Sequence, residues 1–206
     1  MTSNLFSTLA KYADHRDENF LTESFVYLIA LLIEREQPIA IGILKNLCGE
    51  KTIGWFNGLQ EISLSTQYTV PEGRPDIVVK IEPDKLIFIE IKDNSSLGIA
   101  QLERYHHHLW DYPQETTQLV LLTRSRNSIQ QTALQRNLFH HVCWYEISGW
   151  LSDVELNDEV AIFMVDQFLG FLWWKGMNME RITWEYMQGV PAMVNLISMI
   201  GTALSE

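Results

Sequence analysis

The sequence predicts a mixed α/β sandwich, a central sheet flanked by helices, with a helical C-terminal extension. Three observations carry this. Near-continuous apolar, β-branched runs at residues 76–81, 85–92 and 117–123 read as strands covered on both faces. Segments with apolar residues at helical spacing precede, separate and follow these runs. The chain has 206 residues, 47% hydrophobic and 20% charged, the composition of one medium globular domain. Disordered, collagenous and fibrous classes are excluded.

Residues 17–34 predict the first helix. Phe20, Phe25, Leu28, Leu31 and Leu32 recur at helical spacing, and Asp17 and Glu18 suit the positive end of its dipole. Pro38 ends it, a second helix covers 39–48, and 49–58, with Gly54 and Asn57, reads as a loop. Residues 61–70 alternate Ile62, Leu64, Tyr68 and Val70 with polar neighbours, as a half-covered strand does. The runs 76–81 and 85–92 are joined by Glu82-Pro83-Asp84, a tight-turn signal that makes them a hairpin. After Asn94-Ser95-Ser96 a helix is expected over 97–110, stopping before Pro113. A strand over 117–123, a polar helix over 128–137 and a short strand over 142–147 complete the sandwich. Beyond Asp153 the pattern is helical, over 157–174 and 180–203, with Gly189-Val190-Pro191 breaking the last helix. Residues 1–150 therefore read as the core and 151–206 as an extension packed on it, one compact domain with no repeat or linker.

The formal net charge is −11, which argues against a generic polyanion binder, because such affinity rests on Lys and Arg neutralising phosphates. The deficit is uneven. Residues 1–73 hold 5 basic and 9 acidic side chains, residues 74–136 hold 8 of each, and residues 137–206 hold 2 and 9. Nucleic acid, if bound, is expected on the middle segment. Cys48 and Cys143 lie far apart in apolar contexts and read as two buried thiols in a reducing cytoplasm. No basic, then apolar, leader opens the chain, and the longest apolar run, 160–174, is interrupted by Asp166 and Gln167 and is too short for a bilayer. The expectation is a soluble cytoplasmic protein.

The informative stretch is Gly73-Arg-Pro-Asp-Ile-Val-Val followed, after the turn, by Ile89-Glu-Ile-Lys. Side chains alternate along a strand, so Glu90 and Lys92 share one face while Ile89 and Ile91 share the other. Hairpin pairing brings Asp76, at the start of one strand, beside the end of the next. Two carboxylates and an ammonium then occupy one partly buried patch, where an unpaired carboxylate is costly. A hard divalent cation resolves that cost, since Mg²⁺ takes carboxylate and carbonyl oxygens and keeps waters. A strand-end salt bridge of Lys92 with Asp76 or Glu90 accounts for the same charges without chemistry.

P-D followed by E-x-K on consecutive strands resembles the PD-(D/E)XK nuclease superfamily, whose core is a restriction-endonuclease-like αβββαβ sandwich. The resemblance spans most of residues 17–147. The family often carries a Glu on the helix before the sheet, which Glu23 matches here. RecB-like members add Q-x-x-x-Y on the following helix, matched by Gln101-Leu-Glu-Arg-Tyr105, whose spacing puts both side chains on one helical face. The resemblance implies that Asp76 and Glu90, with the carbonyl of Ile91, hold Mg²⁺ or Mn²⁺. It implies that Lys92 orients or helps deprotonate the attacking water, and that Glu23 completes the outer ligands or favours a second ion. Gln101 and Tyr105 would position the nucleic acid backbone or the lysine. Arg74 and Arg104 are candidates for clamping phosphate, or else are solvated surface arginines. DNA is the expected substrate, with RNA left open.

Other conspicuous residues carry less. His106-His107-His108 occupy consecutive helical positions that diverge by about 100° each and cannot converge on one metal. His140, His141 and Cys143 lack a second ligand pair at recognisable spacing. No G-x-S-x-G elbow, phosphate loop or G-x-G-x-x-G occurs. The aromatics Phe163, Phe168, Phe171, Trp173, Trp174 and Trp184, with Met177, Met179, Met187 and Met193, read as core at helical spacing. The alternative is an interface for a homodimer or a protein partner. The expectation is a metal-dependent deoxyribonuclease working in phage defence, restriction, mobile elements or repair. Its rival is a catalytically inactive binding or assembly protein of the same fold; a DNA-mimicking inhibitor fits the acidity but not the motif.

Overall fold

A five-stranded sheet in the order β1-β2-β3-β4-β5 organises the computed structural model, which describes residues 4–13, 17–56, 61–93, 99–126 and 138–178. The strands are β1 (Ile62–Thr66), β2 (Ile77–Ile81), β3 (Lys85–Lys92), β4 (Thr117–Thr123) and β5 (His140–Cys143). The helices are α1 (Leu5–Ala10), α2 (Asp17–Arg35), α3 (Gln37–Cys48), α4 (Ile99–Leu109), α5 (Trp144–Ser152) and α6 (Glu159–Trp174). Strands β1 to β3 pair antiparallel, whereas β4 joins β3, and β5 joins β4, in parallel. The β2–β3 hairpin turns through Glu82-Pro83-Asp84, with Ile81 opposite Lys85 and Ile77 opposite Ile89. A parallel step needs a crossover, and α4 supplies the one between β3 and β4.

Both sheet faces are covered. Ile77, Val79, Ile87, Ile89, Ile91, Val120 and Leu122 face α2, α3, α5 and α6 in the larger core. Val78, Phe88, Leu119 and Leu121 face α4 through Leu102, Tyr105 and Leu109. That two-sided burial is why β2, β3 and β4 read as continuous apolar runs. Helix α6 belongs to the same core: Phe168 packs edge-on or tilted against Phe6 and Trp144, and stacks 6.0 Å from Phe25. Phe171 and Met177 are buried too, while Phe163, Trp173 and Trp174 stay 54%, 63% and 52% exposed. The described C-terminal aromatics therefore split between core and surface. No described helix is long and apolar enough to cross a membrane.

Four expectations change. The strand expected over 61–70 ends at Thr66, because Gln67 turns to φ 55° and bonds Asp76 from its amide. The expected loop over 49–58 contains a 3-10 helix, Glu50–Phe56, that buries Trp55 and Phe56. The strand expected over 142–147 is β5 followed at once by α5. Glu146 accepts the Cys143 amide at 2.8 Å, capping a helix that buries Trp144, Ile147 and Leu151 on one face. Helix α1 was not expected; Asn4 caps it by accepting the Ser7 amide at 2.9 Å. The helices expected over 128–137 and 180–203, with Met179, Trp184, Met187 and Met193, lie outside the described residues.

Candidate functional site

Asp76 and Glu90 meet where the hairpin register carries them. Ile77 pairs with Ile89, so one further step puts Asp76 opposite Glu90 at the C-terminal end of β3. Asp76 Oδ2 accepts the Ile91 amide at 2.7 Å, which locks its carboxylate across the hairpin. Glu90 is 1% exposed. Its Oε1 accepts from Lys92 Nζ at 2.7 Å and from Gln101 Nε2 at 2.7 Å, whereas its Oε2 is buried with no hydrogen-bond partner among the described residues. An orphaned carboxylate oxygen is costly in such a place unless something unseen coordinates it.

Helix α4 supplies the next layer. Gln101 also donates to the Tyr105 hydroxyl at 3.1 Å, and that oxygen accepts the Arg74 amide at 3.1 Å. The one-turn spacing thus ties Glu90 to the loop before β2. Gly73, at φ 147°, lets that loop pass: a Cβ there would meet the Tyr105 ring at 3.1 Å. Arg74 bonds Gln67 through its guanidinium and stands close enough to Asp76 to favour its ionised form. Arg104 turns instead to the Glu72 carbonyl, 3.1 Å away, so it braces the loop rather than the acids.

Glu23 does not join these groups. It is exposed, and no described residue pairs with it. The acid that α2 delivers is Glu18, whose Oε2 accepts the Asp93 amide at 3.0 Å and whose Oε1 lies 3.9 Å from Lys92 Nζ. Five residues separate the two, about 140° around the helix, and the docked face is that of Glu18, Leu21, Phe25 and Leu32. The same apolar stripe in the sequence carries the signal that would have selected Glu18.

Beyond Lys92 an ionic cluster closes the strand end. Arg124 holds Asp93 through Nε at 2.8 Å and Nη2 at 2.7 Å, and Lys175, after α6, lies 3.4 Å from the same carboxylate. Arg124 Nη1 also donates to the Lys175 carbonyl at 2.6 Å. Helix α6 is thereby fastened to the residue next to Lys92.

The electrostatics follow from this crowding. Burial, then the charge of Asp76, pushes the Glu90 carboxyl up to about 7 despite its bond to Lys92. Burial also raises Asp76, partly offset by the Ile91 amide and by Lys92. Burial alone would lower Lys92, but its bond to Glu90 and the charges of Glu90, Glu18 and Asp76 carry it above the ordinary lysine value. Lys92 is therefore an ammonium at neutral pH, able to orient a water but not to take its proton. With all four groups ionised, three carboxylates surround one cation. Among the described residues no three His, Cys, Asp or Glu side chains are grouped to hold a metal by themselves. A cation here would rest on Asp76, Glu90, backbone oxygen and water.

The three consecutive histidines diverge: His106 and His107 flank Trp110, while His108 stacks on Phe88 and pairs with Glu72. Cys48 and Cys143 are both buried free thiols. Comparison of the chain with protein-family models, curated proteins and solved structures finds no match.

Proposed function

We propose that the protein is a metal-dependent nuclease of the PD-(D/E)XK type, hydrolysing DNA phosphodiester bonds on a restriction-endonuclease-like core. The observation that carries this reading is the convergence of Asp76, Glu90 and Lys92 at one sheet end, with Gln101 bound to Glu90. A surface salt bridge does not need a buried carboxylate with one oxygen unpartnered among the described residues. The donor set fits a hard divalent cation: Asp76 and Glu90, with the carbonyl of Ile91, would hold Mg²⁺ or Mn²⁺. When bound, such an ion polarises a phosphate and lowers the pKa of a coordinated water.

Hydrolysis joins the oxygen of water to phosphorus and releases a sugar oxygen with its bonding electron pair. One proton leaves the water and one reaches the leaving oxygen. Lys92 Nζ orients the attacking water and stabilises charge that grows on the phosphoryl oxygens. Gln101 fixes the Glu90 carboxylate, and Tyr105 fixes the Arg74 backbone so that its guanidinium can turn from Gln67 to a phosphate. Glu18 pins the Asp93 amide and biases Lys92 from the far side. By analogy of motif the setting is phage defence, restriction or repair in the cytoplasm, which two free thiols support.

A second reading, a non-catalytic binding protein of the same fold, is favoured by the direct 2.7 Å contact of Lys92 with Glu90 and by the net charge of −11. Incubation of DNA and RNA, single- and double-stranded, with Mg²⁺ or Mn²⁺ separates the two. Metal-dependent cleavage lowered at least 10²- to 10³-fold by Asp76→Ala or Lys92→Ala is expected. Cleavage that survives both changes rejects the nuclease, and no cleavage of any substrate supports the second reading.

A further inference from the structure

Farther along the α4 face of the hairpin, beyond the buried Val78 and Phe88, lies a separate cleft with aromatic walls. Along β2 and β3, Asp76 and Glu90 are followed on the same face by Val78 with Phe88, then by Lys80 with Leu86. Tyr68, Phe88, His108, Tyr112 and Lys80 line a cavity of about 190 Å³ there. Four residues of strand separate Asp76 from Lys80, about 13 Å at 3.3 Å per residue. That equals about four steps of a stacked polynucleotide strand, and fewer of an extended one.

The inner rings pack on one another, and the outer two border the opening. Phe88 and His108 stack at 5.7 Å and 14°, and Tyr112 lies 5.9 Å from His108. Tyr68 and Tyr112 remain 43% and 42% exposed although they border the cleft. Lys80 Nζ sits 4.9 Å from the centre of the Tyr68 ring and pairs with no described carboxylate. The His108 imidazole is already engaged by Glu72, so Lys80 is the cation at the mouth. A neighbouring cavity of about 200 Å³ shares Lys80, Leu86 and Tyr112 and extends the groove toward the hairpin turn. At that end Glu82 lines it, and Lys85 is neutralised by Asp84 at 2.9 Å, so the favourable charge is concentrated at Lys80.

We propose that this cleft is a base-stacking subsite for a single-stranded polynucleotide, in which an unpaired base lies between Tyr68 and Tyr112 while Lys80 meets the adjoining phosphate. The proposal takes its polyanion from the nuclease reading and adds the strand state of the substrate. A duplex hides its base faces within its own stack, whereas an unpaired base offers a π-face to any exposed aromatic ring. Asp76 and Glu90 stand on the same sheet face, so a strand leaving the cleft would reach them over the 70–74 loop, outside the buried Val78, Phe88 and Tyr105.

The test is equilibrium binding in EDTA, read by fluorescence anisotropy, with labelled single-stranded DNA, its RNA counterpart and a duplex of the same sequence. The wild type is expected to prefer single strands. Tyr68→Ala and Tyr112→Ala should each weaken single-strand binding about 5- to 150-fold and leave duplex binding unchanged. Tyr68→Phe and Tyr112→Phe, which keep the ring, should bind as wild type. An abasic nucleotide moved along the strand should reproduce the loss at one position and add nothing to Tyr68→Ala. Absence of single-strand binding, preference for duplex, or equal losses in the Ala and Phe variants overturns the proposal. Ring-dependent binding without any cleavage would remove the nuclease reading and leave the subsite standing.

Discussion

Glu90→Gln should make the protein more stable and inactive, and the size of the gain is set by burial. Glu90 is 1% exposed, and its carboxyl is held at about 7 against an ordinary 4.5. The folded state therefore binds the proton more tightly than the unfolded chain between these two values. Stability contributed by this group is highest below 4.5, declines as pH rises through the interval and levels off above 7. That displacement corresponds to about 3 kcal/mol. Glutamine keeps an acceptor for Lys92 and has no charge to desolvate, so its variant lacks this slope. The gap between variant and wild type should widen by about 3 kcal/mol from pH 4 to pH 8, roughly 6–12 °C in Tm for a chain of this size. Urea denaturation of both proteins at pH 4, 5, 6, 7 and 8 in EDTA measures it, since carboxylates remote from Glu90 cancel in the difference and the coupling to Asp76 is part of the effect. Saturating Mg²⁺ should flatten the wild-type slope, because binding favours the ionised acids. Parallel stability curves for the two proteins would refute the buried-acid account, and with it the argument from an orphaned oxygen.

The remaining expectations are more direct. Glu18→Gln should lower metal-dependent cleavage tenfold or more, since Lys92 loses its second carboxylate, while Glu23→Gln stays within about twofold; equal effects would return Glu23 to the site. Phe168→Ala should cost about 3–5 kcal/mol by urea denaturation, because its ring is fully buried between Phe6, Phe25 and Trp144; a loss below 1 kcal/mol would detach α6 from the core.

Local patterning carries far through this fold. The strands β3 and β4 and the hairpin turn were legible because side chains buried on both faces leave uninterrupted apolar runs, and a turn needs Pro and Asp where it bends. Gln101 and Tyr105 were legible as neighbours because one helical turn separates them whatever surrounds the helix. The 3-10 helix at Glu50–Phe56 was less so: Gly54 and Asn57 mark a loop, and only contact with the core explains why Trp55 and Phe56 are buried. Residues 142–147 have a strand's composition, yet the Glu146 cap and the burial of Trp144 begin a helix there.

The strand-borne acids and lysine, their common face and the helix that follows them can be read from the amino-acid order, because those relations depend on distances of a few residues. Tertiary structure decided which acid of α2 reaches Lys92, since a helix can present either Glu18 or Glu23 until its docking on the sheet fixes its rotation. It also decided that Lys175 is fastened to Asp93, and that Tyr68 and Tyr112 border one cleft. Each of these joins segments tens of residues apart, and only the closed core brings them within contact distance.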